Sequence, residues 1–127
     1  MTRHANIFAI LFSVADEKKQ EKILKNVLEN DEIPAITTPY FNFFELDVLC
    51  RMGKLTEVLD KIRSYWGGML DLGAVTFWEE YDPSVPKEEQ YDMYGDHFGK
   101  SLCHAWAASP IYFLAKYFAG LDLVNKD

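Results

Sequence analysis

The apolar and polar positions of this 127-residue chain alternate mainly with the period of an α-helix. Residues 5–14 are almost continuously apolar and predict a helix that is buried nearly all round. Asp16 is placed to cap a second, amphipathic helix, which Asn30 and Asp31 end. The apolar stripe of this second helix consists of Ile23, Leu24, Val27 and Leu28. The first part of the chain is therefore predicted to be helical throughout.

Two further helices are predicted after the connector IPAITTP. Pro39 suits the first turn of a third helix, and Gly53 suits the position just after the C-terminus of that helix, YFNFFELDVLCRM. Thr56 is predicted to cap a fourth helix, EVLDKIRSYW, which stops where Gly67 and Gly68 follow in the sequence.

Residues 69–100 lack a helical period and contain several glycines and prolines. A loop of this length inside a compact domain is usually functional or disordered. From Ser101 onward the apolar pattern predicts a last helix over residues 102–119, bent near Pro110 and ended by Gly120.

These elements predict an all-α fold made of helical hairpins. The helices over residues 5–14 and 102–119 carry more apolar surface than a two-layer protein of this size needs, so we expect them to belong to the inner ring of a larger structure. Residues 1–127 are interpreted as a single partial domain. Apolar surface left uncovered in a partial domain promotes association, so the isolated chain is expected to self-associate.

The composition and net charge of the chain exclude several classes of function. The formal net charge of −7 and the pI near 4.9 argue against a nucleic-acid partner and against acidic substrates. No segment reaches the roughly 20 apolar residues of a membrane span. The run IFAILFSVA after Arg3 and His4 has some features of a signal peptide, but it is short and continues into a strongly helical stretch, so it assigns no compartment.

Metal and cofactor sites are not indicated by the sequence. Cys50 and Cys103 lack CxxC or HxxC spacing and are interpreted as small buried hydrophobic residues. His97 and His104 are seven residues apart, but a metal site would need a third ligand, for which Asp96 is the nearby choice. Taken alone, His104 is explained as a structural histidine. No phosphate-binding glycine loop is present, and no cofactor is predicted.

The stretch GAVTFWEEYDP places two adjacent glutamates among aromatic residues. In an extended segment adjacent side chains face opposite ways, so Glu79 would share a face with Phe77 and Tyr81, and Glu80 would share one with Trp78. The two glutamates therefore cannot both enter one pocket. Either both point to solvent from a half-buried segment, or one is a reactive carboxylate in an aromatic-walled pocket.

Two stretches, WGGMLDLGAVTFWEEYDP and YGDHFGKSLCHAWAASPIYFLAKYFAGL, resemble the C-terminal part of the catalytic domain of bacterial α-L-rhamnosidases, glycoside hydrolase family 78. Weaker similarity extends upstream through RHANIFAILFSVA and TTPYFNFFELDVLCRMGK, so the resemblance covers nearly the whole chain. The combination of Gly-Ala-x-Thr-x-Trp-Glu with Ser-Leu-Cys-His-Ala-Trp makes it specific. Val75 stands where the first motif often has threonine, a departure with no evident chemical meaning.

The resemblance implies that the chain supplies the last helices of an (α/α)6 barrel and acts on a carbohydrate substrate, a rhamnoside. The family inverts the anomeric centre with an acid and a base about 6.5–9.5 Å apart, so that a water fits between base and sugar. By motif match Glu79 is the base and Glu80 its solvent-side neighbour. His104 becomes the sugar-contact histidine, and Trp78 and Trp106 are expected to contact the substrate. The general acid belongs to an upstream segment that this chain lacks, so the remainder of the barrel is the expected partner.

Three functional hypotheses are compatible with these features. The first is a fragment of an inverting α-L-rhamnosidase. The second is a related six-hairpin enzyme with a different sugar specificity. The third is a non-catalytic helical module that uses its aromatic residues to bind carbohydrate or protein.

Overall fold

The computed structural model describes residues 2–121 and is helical, as predicted. The chain divides into two compact units, Met1–Ile36 and Thr37–Asp127. The helices are α1 (Arg3–Leu11), α2 (Glu17–Ile23, continued by the π-helical turn Leu24–Leu28), α3 (Pro39–Arg51), α4 (Leu55–Asp71) and α5 (Ser109–Phe113, continued by the π-helical turn Leu114–Phe118). Residues 2–121 contain no β-strand, so the predicted all-α class is confirmed for them. None of these helices is long and apolar enough to cross a membrane.

Helix α1 is buried on one face only, so the prediction of all-round burial is wrong. Its buried side chains are Arg3, Ile7 and Ile10, which recur at the helical spacing of four and three residues. Phe12, just after the helix, is largely exposed. Within the first unit this face of α1 packs mainly against the C-terminal turn of α2.

Both ends of α2 are capped by side chains. Asp16 accepts a hydrogen bond from the backbone N–H of Lys19 at 2.9 Å, which confirms the predicted N-cap. At the other end the buried guanidinium of Arg3 donates to the carbonyl of Leu28 at 2.8 Å. A cation at the last turn satisfies free carbonyls and complements the negative end of the helix dipole. Arg3 thus ties the start of α1 to the end of α2.

Helix α3 follows the prediction closely, whereas α4 does not. Pro39 lies in the first turn of α3, and Gly53, with φ of 73°, ends it in the left-handed conformation. Helix α4 begins one residue before Thr56, with Lys54 as its N-cap, because Leu55 already adopts helical geometry. It also continues through Gly67 and Gly68 to Asp71.

Tyr81 explains one of the two glycines inside α4, Gly68. A Cβ atom added to Gly68 would overlap the phenol ring of Tyr81, whereas one added to Gly67 would meet nothing within 4 Å. The glycine is therefore required by side-chain packing and does not end the helix. Tyr81 also stacks edge-on against Tyr65 of the same helix, with ring centroids 5.6 Å apart.

The helices of the second unit pack around an aromatic and ionic core. Phe113 of α5 is fully buried and its ring centroid lies 5.1 Å from that of Phe43 of α3. The indole N–H of Trp66 in α4 donates to the carbonyl of Ala107 at 2.9 Å. These contacts fix the segment before α5 against α4.

The last helix begins later than predicted. The segment from Ser101 to Ala108 is extended or turn-like and contains a single 3-10 turn, Ala105–Ala107. Pro110 lies in the first turn of α5, so it begins this helix and does not bend it. Gly120, with φ of 67°, follows the end of the helix as predicted.

The long loop over residues 72–100 is folded onto itself. The buried side-chain amide of Gln90 donates to the carbonyls of Asp82 and Val85, at 2.6 and 2.8 Å. These two hydrogen bonds hold the turn over residues 82–85 in place. One short 3-10 turn, Lys87–Glu89, lies within it.

The two cysteines differ in environment. Cys50 is buried, and burial raises the pKa of its thiol to about 11. Cys103 is exposed, so the prediction that both are buried is wrong for Cys103. It lies in the extended segment rather than in a helix, and its neighbours therefore do not cover it.

Candidate active site

Two extended segments pair and bring the two sequence motifs together. The N–H of Glu79 donates to the carbonyl of Ser101 at 2.9 Å, and the N–H of His104 donates to the carbonyl of Phe77 at 2.8 Å. The hydroxyl of Thr76 donates to the carbonyl of Leu102. This pairing requires residues 101–104 to be extended, which is why they do not join the last helix. It also sets the side chains of Glu79 and His104 next to each other.

Glu79 is a buried carboxylate with a donor on each oxygen. It is 7% exposed. The hydroxyl of Tyr94 donates to its Oε1 at 2.8 Å, and the N–H of Ser101 donates to its Oε2 at 3.0 Å. The Nδ1 atom of His104 lies 3.9 Å from the same Oε2. Each carboxylate oxygen accepts at two lone pairs, so these donors leave acceptor capacity on both oxygens.

The surroundings of Glu79 favour its ionised form. Burial raises the pKa of this carboxyl, but the hydrogen bonds from Ser101 and Tyr94, followed by the charges of His104 and Lys100, outweigh burial and lower the pKa overall. Lys100 is itself buried, and burial lowers the pKa of its ammonium against the attraction of nearby carboxylates. The site therefore holds Glu79 as an anion.

An aromatic surface adjoins this carboxylate. The ring centroid of His104 lies 4.4 Å from that of Trp106, and the Trp106 centroid lies 5.1 Å from that of Tyr40 at the start of α3. Trp106 is 47% exposed, and Tyr40 is exposed as well. Sugar rings present apolar faces that can lie against exposed aromatic rings, so we name these three residues the aromatic platform.

The remaining predicted residues lie elsewhere than expected. Trp78 is 3% exposed and packs against Tyr91, with ring centroids 5.6 Å apart, so it supports the segment from behind. Glu80 is half-buried and its Oε1 accepts a hydrogen bond from the hydroxyl of Thr37 at 2.9 Å. The prediction that Glu80 faces solvent is wrong, because the segment is anchored on both faces.

His97 is separate from His104. Its Nδ1 lies 2.6 Å from Oδ1 of Asp92 within the loop, on an exposed surface. Within residues 2–121 no group of three or more His, Cys, Asp or Glu side chains is placed to hold a metal ion.

Two site residues were not identified from the sequence. Tyr94 and Tyr40 supply the hydroxyl donor to Glu79 and one ring of the aromatic platform. Tyr40 belongs to an aromatic run on a helix, a pattern that usually indicates core packing and not a binding site. The sequence did contain a signal for Tyr94: the pair Tyr94-Gly95 has the X-Gly form of a tight hairpin turn, which would project its first side chain.

An apolar cavity of the second unit lies beside this site and not at it. It has a volume of about 210 Å³ and is lined by Trp66, Met69, Leu70 and residues 74–77. Its lining ends at Phe77, two residues before Glu79. Trp106 and Tyr40 of the aromatic platform are exposed, next to the buried carboxylate.

An anionic carboxylate thus lies beside an exposed aromatic platform, and both are carried by a scaffold of helical hairpins. No protein-family model and no curated protein matches this chain. Solved structures do match it. A rhamnosidase from Klebsiella oxytoca with rhamnose bound is 33% identical, with a TM-score of 0.73, over 91% of this chain and 22% of that chain.

A rhamnosidase of glycoside hydrolase family 78 from Bacillus sp. GL1 is 29% identical, with a TM-score of 0.70, over 90% of this chain and 12% of that chain. The resemblance predicted from the two motifs is thereby confirmed, and the helical hairpins correspond to part of an (α/α)6 barrel. The chain spans about a fifth and about an eighth of the lengths of these two proteins.

Proposed function

We propose that this chain is part of an inverting glycoside hydrolase that acts on terminal α-L-rhamnosides, and that Glu79 is its general base. The observation that carries the proposal is the environment of Glu79, a buried carboxylate kept ionised beside an exposed aromatic platform. The similarity to a rhamnosidase with rhamnose bound supports the choice of sugar.

Inversion needs a water molecule between the base and the anomeric carbon. As the water oxygen attacks the anomeric carbon, a free lone pair of Glu79 takes one water proton. The bond to the leaving oxygen breaks on the opposite face of the sugar, and a second carboxyl group protonates that oxygen. The acceptor capacity left on Glu79 meets the requirement for the first of these roles.

The aromatic platform would bind the sugar. Trp106 offers an exposed face, and His104 offers ring nitrogens between this face and the carboxylate. Trp78, which is buried, would act by supporting the backbone of Glu79 and not by touching the sugar. This assignment changes the expected role of Trp78 and keeps those of His104 and Trp106.

The second carboxyl group is expected from a part of the barrel outside residues 1–127. The isolated chain is therefore expected to show no turnover of an aryl α-L-rhamnoside. Exposed apolar side chains of the last helix, Ile111, Leu114 and Phe118, would then meet the remaining helices, and in their absence we expect the chain to self-associate. Sedimentation of a strictly monomeric chain that binds no hydrophobic dye would contradict this expectation.

The decisive experiment compares adjacent substitutions in a complete barrel that carries this segment. Glu79→Gln keeps the shape of the side chain but cannot accept a proton, so kcat should fall about 10²–10⁴-fold while rhamnose binding is retained. Glu80→Gln is the matched control and should leave kcat close to the unsubstituted value. Retained kcat in Glu79→Gln together with loss in Glu80→Gln would move the base by one residue.

His104→Ala tests the platform separately from the base. It removes a wall of the sugar site and leaves the proton acceptor in place, so KM should rise more than kcat falls. A pure loss of kcat with unchanged KM would assign His104 to the chemical step instead.

A non-catalytic carbohydrate-binding module is the second candidate, and the exposure of Tyr40 and Trp106 favours it. Two results together would support this second candidate: rhamnose binds to the platform, and Glu79→Gln does not change turnover by a complete barrel. A panel of aryl glycosides would separate rhamnosidase activity from a related six-hairpin enzyme with another sugar specificity.

A further inference from the structure

Tyr94 occupies the tip of a tight hairpin in an unfavourable backbone conformation. Met93 and Asp96 exchange two backbone hydrogen bonds of 3.0 Å, which close a two-residue turn. Within it Tyr94 has φ of 56° and Gly95 has φ of 81°. Positive φ at both central residues is the type I′ geometry, for which Asn-Gly is preferred. A bulky side chain at the first of these positions is an outlier that calls for a functional explanation.

Packing does not explain the choice of tyrosine. Tyr94 is 79% exposed, so its ring adds little to the core. Its specific contact is the hydrogen bond from its hydroxyl to Oε1 of Glu79, at 2.8 Å. An asparagine in its place would suit the turn, but its shorter side chain would not extend as far as a phenol hydroxyl.

The same loop also provides the second donor to Glu79. The N–H of Lys100 donates to the carbonyl of Tyr91 at 3.1 Å and closes the hairpin at its base, directly before Ser101. The returning segment passes so close to Met93 that a Cβ atom on Gly99 would overlap the carbonyl of Met93. The loop over residues 91–101 therefore donates hydrogen bonds to both carboxylate oxygens of Glu79, one from Tyr94 and the other from Ser101.

We propose that Tyr94 is a positioning residue for the general base, and that the hairpin over residues 91–100 exists to deliver its hydroxyl to Glu79. This inference rests on the proposed function, in which Glu79 accepts the proton of water. Tyr94 orients the carboxylate and stabilises its anion, and it does so from a neutral group that leaves the base able to react.

The pKa of Glu79 gives a direct test in the 127-residue chain. Other groups that act on this carboxylate are Ser101, His104 and Lys100, and all remain in a Tyr94→Phe variant. Removing the hydroxyl alone should raise the pKa of Glu79. This pKa can be measured by carbon-detected NMR of the labelled carboxyl group. Tyr91→Phe removes a hydroxyl from the same loop and serves as the matched control, with no expected change. An unchanged pKa in Tyr94→Phe would overturn the inference.

A second substitution separates positioning from structural support. Tyr94→Asn relieves the backbone strain, so the free energy of unfolding should stay the same or increase, while the pKa of Glu79 should rise as in Tyr94→Phe. A residue with a merely structural role would give the opposite result, a loss of stability with no change in the pKa of Glu79.

In a complete barrel, Tyr94→Phe should lower kcat about tenfold, the size expected for one hydrogen bond to a charged group. The acidic limb of its pH–rate profile should move to higher pH, and Tyr91→Phe should match the unsubstituted enzyme. If Glu79→Gln stays active, the proposed function fails, whatever Tyr94→Phe does. If Glu79→Gln is inactive and Tyr94→Phe has an unaltered profile, only the positioning role fails.

Discussion

Two buried glutamates in the second unit are held in different ways. Glu45 of α3 is 2% exposed, and its Oε1 lies 2.6 Å from the ammonium nitrogen of Lys61 in α4. Glu79 is bound by a hydroxyl and a backbone N–H, with the His104 ring 3.9 Å away. The direct partner of Glu45 is a charged ammonium group, whereas the two direct hydrogen-bond donors to Glu79 are a neutral hydroxyl and a backbone N–H. Burial is therefore common to both carboxylates, and the type of partner distinguishes Glu45 from the proposed base Glu79.

The scaffolds of the two carboxylates differ as well. Glu45 and Lys61 are fixed by the packing of two regular helices. Glu79 depends on a loop in which residues distant in sequence meet, among them Tyr94 and His104. Glu45 is thus held by the helix pair itself, whereas Glu79 is held by contacts within the loop.

The largest difference should appear when each carboxylate loses the basic side chain beside it. Lys61→Ala leaves Glu45 buried without its 2.6 Å partner, and the free energy of unfolding should fall by about 3 kcal/mol. His104→Ala leaves both donors of Glu79 in place and should cost about 1 kcal/mol or less. Urea denaturation of the chain measures both.

A double substitution provides the control for this comparison. Glu45→Leu combined with Lys61→Met removes both charges and should recover most of the stability that Lys61→Ala loses. Equal losses in Lys61→Ala and His104→Ala would show that the two carboxylates are not held differently.

The second prediction concerns the contact between α4 and the segment that follows Glu79. Gly68→Ala forces the Tyr81 ring to move and should destabilise the chain by about 1–3 kcal/mol. Gly67→Ala meets no neighbouring atom and should stabilise it by roughly 0.5–1 kcal/mol, since alanine favours the helix. Thermal unfolding of the two variants should show shifts of opposite sign.

The same two substitutions, made in a complete barrel, test whether α4 positions the candidate site. Because Tyr81 lies two residues after Glu79, Gly68→Ala should lower kcat and Gly67→Ala should not. Equal kcat values in both variants would mean that the loop positions Glu79 independently of α4.

The helices are predicted from local sequence signals, and the errors in the prediction come from contacts between residues far apart in the chain. The cap at Asp16, the proline at the start of α3 and Gly53 at its end act through neighbouring backbone, and they were identified correctly. Gly67 and Gly68 predict a helix end, but Gly68 lies inside α4 because its role depends on Tyr81, thirteen residues later. Long-range packing overrode a local rule.

Only part of the candidate site is predicted from the sequence, because the rest of it also depends on contacts between distant residues. Glu79 and His104 stand within motifs that can be compared with a family, and the structure brings them together. The extended form of residues 101–104 was missed, because it arises from pairing with residues 76–79 and leaves no mark in the apolar pattern. Tyr94 was missed because its hydroxyl reaches Glu79 only through the geometry of one turn.

The smallest expected effect is the pH dependence that Glu79 gives to stability. The folded state lowers the pKa of this carboxyl below its ordinary value of 4.5. A lowered pKa means that the anion stabilises the folded chain above about pH 4.5, and that this contribution disappears as pH falls through the folded pKa. Glu79→Gln has no such group. The difference in free energy of unfolding between the unsubstituted chain and Glu79→Gln should therefore be largest near neutral pH and should shrink on acidification. Glu88→Gln, on an exposed turn of the same loop, controls for the loss of one negative charge. A difference that grows towards acid pH would show that Glu79 is stabilised in its protonated form, as a general acid and not as a base.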